Sequence, residues 1–480
     1  MGDDMRKSRL IAACVLAFAL TPAAYASPTA PAAAAPAADD AHMLELFQDV
    51  LKATEHDYVK PVDDKTLIQS ALKGMLSSLD PHSDYLTPDD FKDFQTSMKG
   101  EFGGVGIEIT SQDGLVKVIT PIDDTPAVRA GIKAGDFITA INGETMIGQT
   151  VGDASKRMRG PIGEPVTLTI ARPKVPAFDV KITRELIHPK AVTFHAEGDY
   201  GYVRLAVFNE KATQETRAAI EALRAKNPHM KGLVLDLRNN SGGLVNQAVG
   251  VANLFLDGGE VVSAQGRDPK NIQRYYARPG RKLDDLGLVV LINGGTASAS
   301  EIVAGALQDR HRAEIIGMTS FGKGSVQSII PLRGGADGAI KVTIARYYTP
   351  AGRSIQKTGI EPDLEVAQTR EQAELAANQA FQFSEAAYRN ALTVDEDKAR
   401  KIAHKPAEAP PKDFDEAKGD FQLSRALEVL KYGSVEATPK LPTASVTLAT
   451  ADIIRANDAT KAGAQAKTAE AAKPTVPSPN

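Results

Sequence analysis

The 480-residue sequence has no tryptophan, only 5% aromatic residues and a single cysteine, Cys14. So few aromatic faces leave little for nucleic-acid bases to stack on. The 56 basic and 60 acidic residues give a formal net charge of −4, so no overall positive field draws the chain to nucleic acid either. One cysteine excludes an intrachain disulfide and any cysteine metal cluster. No H-E-x-x-H and no other clustered histidine–carboxylate spacing occurs, so no metal and no cofactor is expected. Long apolar runs are missing too. Leu10 to Leu20 is too short for a bilayer, which needs about 20 residues.

Arg6, Lys7 and Arg9 precede that run and Ala24-Tyr25-Ala26 follows it, the pattern of a cleavable secretory signal. Residues 1–26 are therefore expected to be a leader. The mature protein is expected in the periplasm of a cell with two membranes, free or peripheral to the membrane, and cleavage would also remove Cys14. With 42% hydrophobic and 24% charged residues, what remains can fill a sizeable core, and its length suggests about three domains.

Texture divides the rest. Residues 27–41 are mostly Ala and Pro, a spacer. In 42–100 the apolar residues Leu44, Phe47, Val50 and Leu51, then Leu67, Ile68, Ala71, Leu72 and Met75, recur at helical spacing; this face packs locally or against a partner subunit. In 101–186 the runs Val105–Ile109, Val116–Ile119, Phe137–Ile141 and Val166–Ile170, punctuated by glycine turns, predict a small β-rich module. In 187–365 buried-type strands at Leu233–Leu237 and Leu288–Ile292 are each followed by a glycine-containing turn and a helical stretch, an α/β core. Residues 366–450 read as a further helical region and 451–480 as a disordered tail.

Four turns carry candidate chemistry. Asn293 to Glu301 leaves a strand and enters a helix. Ser298 there suits a nucleophile at a helix N-terminus, and Ser298-x-x-Glu301 equally spells a capping box. A serine nucleophile needs a base, and none of the eight histidines lies in a hydrolase context; no G-x-S-x-G occurs. His311 reads as solvated and His82 as locally hydrogen-bonded in a Pro-flanked turn. Lys323, between Gly322 and Gly324, is either a surface lysine or a base. As a base, burial must bring its pKa from about 10.4 towards neutrality. Gln327 falls on the same strand face and its amide could hold the neutral amine. Arg238 to Gly243 follows a strand; its glycines serve tight geometry or present an N–H to a carbonyl. Phe102 to Ile107 offers N–H donors and a strand edge, the means by which peptide C-termini are captured, though its glycines also suit a bulge.

Jointly and in order, these stretches resemble the C-terminal processing peptidases, tail-specific serine–lysine proteases with a PDZ domain. Asp80-Pro81-His82-Ser83 with Tyr85 is similar to the family's pre-PDZ element. Gly104 to Ile109 and Ala130 to Gly143 are similar to its PDZ domain. The core matches are Asp236 to Gly243, Asn293 to Ile302, Gly322 to Gln327, Tyr348 to Arg353 and Gly359 to Asp363. The resemblance implies a multidomain α+β protein: a ClpP/crotonase-like α/β protease core, an inserted PDZ domain at 101–186, and helical N- and C-terminal regions. It makes Ser298 the nucleophile, Lys323 the general base and Gln327 its orienting partner, and gives Ser300 no such role. The oxyanion hole would use the N–H of Ala299 and of Gly242 or Gly243, with Ser241 standing where many relatives carry proline. Gly104, Val105, Gly106 and Ile107 would bind the peptide C-terminus. Arg159 either senses its carboxylate or is an ordinary surface arginine. The implied partners are protein or peptide substrates held by their C-termini, a second copy of the chain in a dimer or larger assembly, and an adaptor protein. One rival reading is a catalytically silent PDZ scaffold, against which Ser298, Lys323 and Gln327 argue. The other is a nucleotide-binding loop at Gly317 to Lys323, which Gly324 spoils by standing where Ser or Thr should bind Mg²⁺.

Overall fold

The computed structural model describes residues 38–441 apart from 100, 113–114, 123, 134, 147–148, 150, 173–174, 188–190, 281–282, 284, 374–383, 389, 394–407 and 417–418. The expected leader, most of the spacer and the expected tail lie outside the described residues. The chain divides into two compact units, residues 1–68 and 69–480.

The first unit contains α1 (Ala38–Asp57), which starts inside the stretch expected as spacer. Met43, Leu44, Leu46, Phe47 and Val50 of α1 are all exposed. Helix α2 (Asp64–Ser77) runs on into the second unit. Next come β1 (Asp84–Leu86) and α3 (Pro88–Met98). Strand β1 lies within a region read as helical, and it adds to a sheet of the core more than 250 residues further along the chain.

The β-rich module opens with β2 (Phe102–Gly104) and closes with β9 (Glu185–Ile187), which pair antiparallel as a neck. Between them lie β3 (Ile107–Gln112), β4 (Leu115–Pro121), α4 (Pro126–Arg129), β5 (Phe137–Ile141), β6 (Glu144–Thr145), α5 (Val151–Met158), β7 (Pro165–Arg172) and β8 (Val175–Thr183). The sheet order is β3-β4-β5-β7-β8, with β6 on β5, so β3 is an edge strand. The run expected as one strand from Val105 to Ile109 is broken at Gly106. Its φ is +81°, and a Cβ there would fall 2.3–2.5 Å from the Thr125 side chain. Val118, Ile138, Ile141, Leu168 and Ile170 fill a core separate from the main one.

The core follows as β10 (Val192–Glu197), β11 (Tyr200–Leu205), α6 (Ala212–Lys226), β12 (Gly232–Asp236), α7 (Val245–Ala252), β13 (Glu260–Gly266), β14 (Ile272–Tyr276), β15 (Gly287–Ile292), α8 (Ala299–Asp309), β16 (Glu314–Gly317), β17 (Ser325–Pro331), β18 (Ala339–Tyr348), β19 (Leu364–Glu365) and α9 (Phe421–Tyr432). One sheet has the order β10-β11-β12-β15-β16-β19, parallel from β11 onward. A parallel sheet needs cover on both faces, and alternation along β12 supplies it. Leu233 and Leu235 face the cluster with Ile220, Val251 and Ile302, while Val234 faces Phe421, Ala426 and Val429 of α9. A second, antiparallel sheet has the order β1-β18-β13-β14, with β17 also on β18.

A buried ionic cluster fastens α9 to the end of β12. Arg238 Nη2 lies 2.6 Å from Asp236 Oδ2 and 2.7 Å from Asp420 Oδ2, and Asp420 caps α9 through the Leu423 N–H. Tyr202 donates its hydroxyl to the same Asp236 at 2.6 Å. Deleting one partner of such a pair leaves a charge uncompensated. Arg238→Ala is therefore expected to cost about 3–5 kcal/mol, read as a lower denaturant midpoint for unfolding of the core.

Candidate active site

Two turns at the ends of neighbouring parallel strands meet at the start of α8. The turn after β15 is tightened by Asn293, whose Oδ1 accepts the N–H groups of Gly295 and Asn239. The turn after β12 is held by Asn240. Its Nδ2 donates to the Leu205 carbonyl, and its own carbonyl accepts from Ala297 N and from Ser300 Oγ at 2.9 Å each. Ser300 is therefore a buried fastener between the turns.

Ser298 sits at the N-terminus of α8, half-buried, with φ +57° and ψ −115°. For a residue with a Cβ this backbone costs about 1–3 kcal/mol and persists only where its surroundings enforce it. Part of the enforcement is the reach-back half of the expected capping box: the Ser298 N–H donates to Glu301 Oε2 at 2.7 Å. Glu301 is fully buried and takes three further donors. Lys323 N–H reaches the same Oε2 at 3.0 Å, and Gly322 N–H and Ser320 Oγ reach Oε1 at 2.7 and 2.6 Å. Burial pushes the carboxyl up to about 7, while all four bonds favour the ionised form. Ser320 Oγ accepts the Ile360 N–H and donates its own proton to Glu301. With four donors aimed at it, this carboxyl has no acceptor left for a proton of its own, and the geometry fits a carboxylate.

The backbones of Ser298 and Lys323 thus share one acceptor atom. The Lys323 side chain is half-buried, and its pKa is lowered, first by burial and then by the charge of Lys341; Glu385, Glu301 and Asp80 pull the other way. Gln327 lies on β17 opposite Thr343, because the register with β18 slips by one residue at that point and skips Ile344. Its Nε2 donates to Ser325 Oγ at 2.9 Å and to Thr343 Oγ1 at 3.2 Å. Thr343 Oγ1 in turn donates to Asp80 Oδ1 at 3.0 Å. Among the described residues no direct hydrogen bond joins Ser298, Lys323 and Gln327; Glu301 links the main chains of the first two, and Gln327 is held separately by Ser325 and Thr343.

Gly242 lies against the serine. A Cβ on it would fall 2.8 Å from the Ala297 oxygen and 2.9 Å from Ala299 N and Ser298 Cβ, and its φ is +99°. Its N–H is committed to Asn240 Oδ1 at 2.9 Å. Of the two glycines expected as alternative donors, Gly242 therefore supplies closeness. Among the described residues no acceptor is found for the N–H of Gly243 or of Ala299.

In the module, Gly104, Val105 and Gly106 are buried and Ile107 opens the edge strand β3. Ala127 N and Ile122 N occupy the carbonyls of Val105 and Gly106. Arg159 is brought to this loop: its guanidinium stacks over the Phe102 ring, 4.2 Å from the centroid, and Gly160 N–H donates to the Gly103 carbonyl. Of the two histidines singled out in the sequence, one gains a remote partner. The main chain of His82 is bonded locally to Asp80, as expected, but its ring reaches Glu385 far along the chain. His311 is exposed, as expected, and lies in the turn beyond α8. Glu301 was legible only as half of a capping box. Thr343 and Glu385 had no local signal, since their partners are remote in sequence; Asp80 was legible only as part of the Asp80-Pro81-His82-Ser83 motif.

Comparison with known proteins places these features in context. The model for peptidase family S41 matches residues 199–366, and a PDZ-domain model matches 118–172. Over 328 residues the chain is 52% identical to a carboxy-terminal-processing protease of Bartonella bacilliformis, covering 68% of this chain and 75% of that protein. It is 36% identical over 330 residues to a probable CtpA-like serine protease of Staphylococcus aureus, covering 68% and 65%. Among solved structures, a photosystem II D1 C-terminal processing protease aligns with 32% identity over 69% of this chain and 94% of that one, at a TM-score of 0.43.

The environment of Lys323 has a direct spectroscopic consequence. In the NMR titration of the reductively ¹³C-methylated protein, one lysine resonance, missing from Lys323→Ala, is expected to titrate below the ordinary 10.5.

Proposed function

The chain belongs to peptidase family S41 and is a carboxy-terminal-processing protease, and from that premise we propose that it cuts by a serine–lysine mechanism after its PDZ domain has captured the substrate's C-terminus. The observation that carries this reading is the shared Glu301 carboxylate, which ties the main chain of Ser298 to that of Lys323.

In this mechanism neutral Lys323 Nζ takes the proton of Ser298 Oγ as the oxygen attacks the scissile carbonyl carbon. The negative charge that develops on the carbonyl oxygen is met by the N–H of Ala299, at the positive end of α8, and by that of Gly243. Collapse breaks the C–N bond, and the Lys323 ammonium returns its proton to the departing amine. Water then attacks the acyl-serine ester, giving a proton to Lys323, and the cycle closes when Ser298 Oγ recovers it. Gln327, with its Nε2 donated to Ser325 and Thr343, keeps its amide oxygen to accept from Lys323. The lowering of the lysine pKa by burial supports the role, because a base must be unprotonated near the working pH.

Substrate capture is assigned to Gly104–Ile107 and β3. A tail extending the sheet along this edge would present its carboxylate to the loop's N–H groups, with Arg159 held beside them on Phe102. The ClpP/crotonase-like description of the core suits a parallel sheet with strand-end turns. The basic–apolar–small pattern of residues 1–26 supports export to the periplasm. The exposed apolar residues of α1 favour assembly with a second copy of the chain, and delivery of substrates by an adaptor is compatible with a site that takes any accessible tail.

An unstructured reporter with an apolar C-terminal tail tests the scheme. Wild type is expected to cleave it, Ser298→Ala and Lys323→Ala to leave it intact, and tail amidation to slow cleavage; full activity of Lys323→Ala would refute the base assignment. Gly242→Ala, which fills the space beside Ala299 N, is expected to lower kcat by about 10²–10³-fold. The wild-type rate should rise with pH, because deprotonation makes the base, and level off below 10.5.

A further inference from the structure

A second buried carboxylate belongs to a residue that also holds the lysine loop. Glu385 belongs to a single 3₁₀ turn, Glu385–Ala387, and is fully buried. Its Oε2 lies 2.8 Å from His82 Nε2, and its Oε1 accepts from Gln356 Nε2 at 3.0 Å. Gln356 is also fully buried, and its Oε1 accepts the Gly324 N–H at 3.0 Å. The main-chain N–H of Glu385 donates to the Phe321 carbonyl at 2.9 Å. Glu385 therefore grips the loop on both sides of Lys323, directly at Phe321 and through Gln356 at Gly324. His82 is itself fixed, because Asp80 Oδ1 accepts its N–H and that of Ser83. The Tyr388 ring packs near both His82 and Phe321, with centroids 6.2 Å apart in each case.

A buried carboxylate without adequate partners is costly. An aliphatic residue would fill the same volume without that cost, so the charge calls for a reason beyond packing. The charged groups that bear on Lys323 are Lys341 of β18, Glu385 of the 3₁₀ turn, Glu301 of α8 and Asp80 of the turn before β1. Lys341 favours the neutral amine, and among the carboxylates Glu385 opposes it most.

We propose that Glu385 is a positioning residue for Lys323, its main chain holding the lysine loop at Phe321, its carboxylate holding it through Gln356 at Gly324 and keeping a negative charge near the lysine. The proposal rests on the reading of Lys323 as the general base. It makes a segment outside the sheet core, together with His82 ahead of the PDZ domain, part of what prepares the catalytic site.

The test compares kcat and KM for the tailed reporter across pH in the full chain, for wild type, Glu385→Gln, Glu385→Ala, Ser298→Ala and Lys323→Ala. Glu385→Gln can still accept from Gln356 and donate to His82, but it has no charge. Losing an opposite charge lowers a lysine's pKa, so the midpoint of the rise in kcat with pH is expected to move to lower pH by about one unit. Glu385→Ala keeps the main-chain bond to Phe321 but also frees Gln356, and with it the Gly324 side of the loop; kcat is expected to fall at least about tenfold, because misplacement of a reacting group is costly, with KM unchanged. A Glu385→Gln midpoint equal to that of wild type overturns the proposal. So does an unchanged kcat in Glu385→Ala. Should Glu385→Ala fail to fold, the Glu385→Gln midpoint decides by itself. Activity surviving in Ser298→Ala or Lys323→Ala is a different result, and refutes the serine–lysine reading itself.

Discussion

The Glu301 carboxylate is the constraint on which the site depends. It is fully buried, and all four of its hydrogen-bond partners are donors from Ser298, Ser320, Gly322 and Lys323. Charge-assisted bonds of this kind are shorter and stronger than neutral ones, and in a dry interior leaving any one unmade would be expensive. The carboxylate therefore fixes the start of α8 and the lysine loop as one unit. It also takes up the Ser298 N–H, which helps to hold a serine at positive φ and leaves the next N–H, that of Ala299, facing the space beside Gly242.

Around that unit the fold works as a frame. The parallel order of β11, β12, β15 and β16 brings the turns after β12 and β15 to the same edge of the sheet, where open α/β sheets characteristically place ligand sites. Asn240 and Ser300 join the two turns, and the Asp236–Arg238–Asp420 cluster anchors the strand behind them. Two of the four charges that bear on the lysine come from further out, from Asp80 ahead of the PDZ domain and Glu385 beyond the core. The proposed nucleophile opens a helix and the proposed base lies in a loop just ahead of β17, while part of the charge around the lysine comes from segments that the sheet does not contain.

Much of this was readable from sequence where the signal is local. Hydrophobic runs bounded by glycine located β5, β12 and β15 to within a residue or so, and the helical stretches expected after the last two are α7 and α8. Ser298 and Lys323 stood out as candidates because each sits in a glycine-containing turn, and the resemblance to the processing peptidases gave them and Gln327 their expected roles. The errors were of another kind. Strand β1 was read as part of a helical region, since three residues carry no periodicity and it is defined by pairing with Lys341, Ile340 and Ala339. His82 was credited with local bonds alone because its ring partner is hundreds of residues away. Gly242 and Gly243 could not be told apart until the Asn240 side chain claimed one of their N–H groups.

The sequence by itself determined the elements, the order of the turns and the types of side chain available for chemistry, because backbone propensity and hydrophobic period act over a few residues. Only the tertiary structure decided which donors face which carboxylate, which glycine N–H stays free and which charges surround Lys323. Those outcomes depend on distances between groups far apart in the chain, and burial strengthens each such interaction far beyond its value in water.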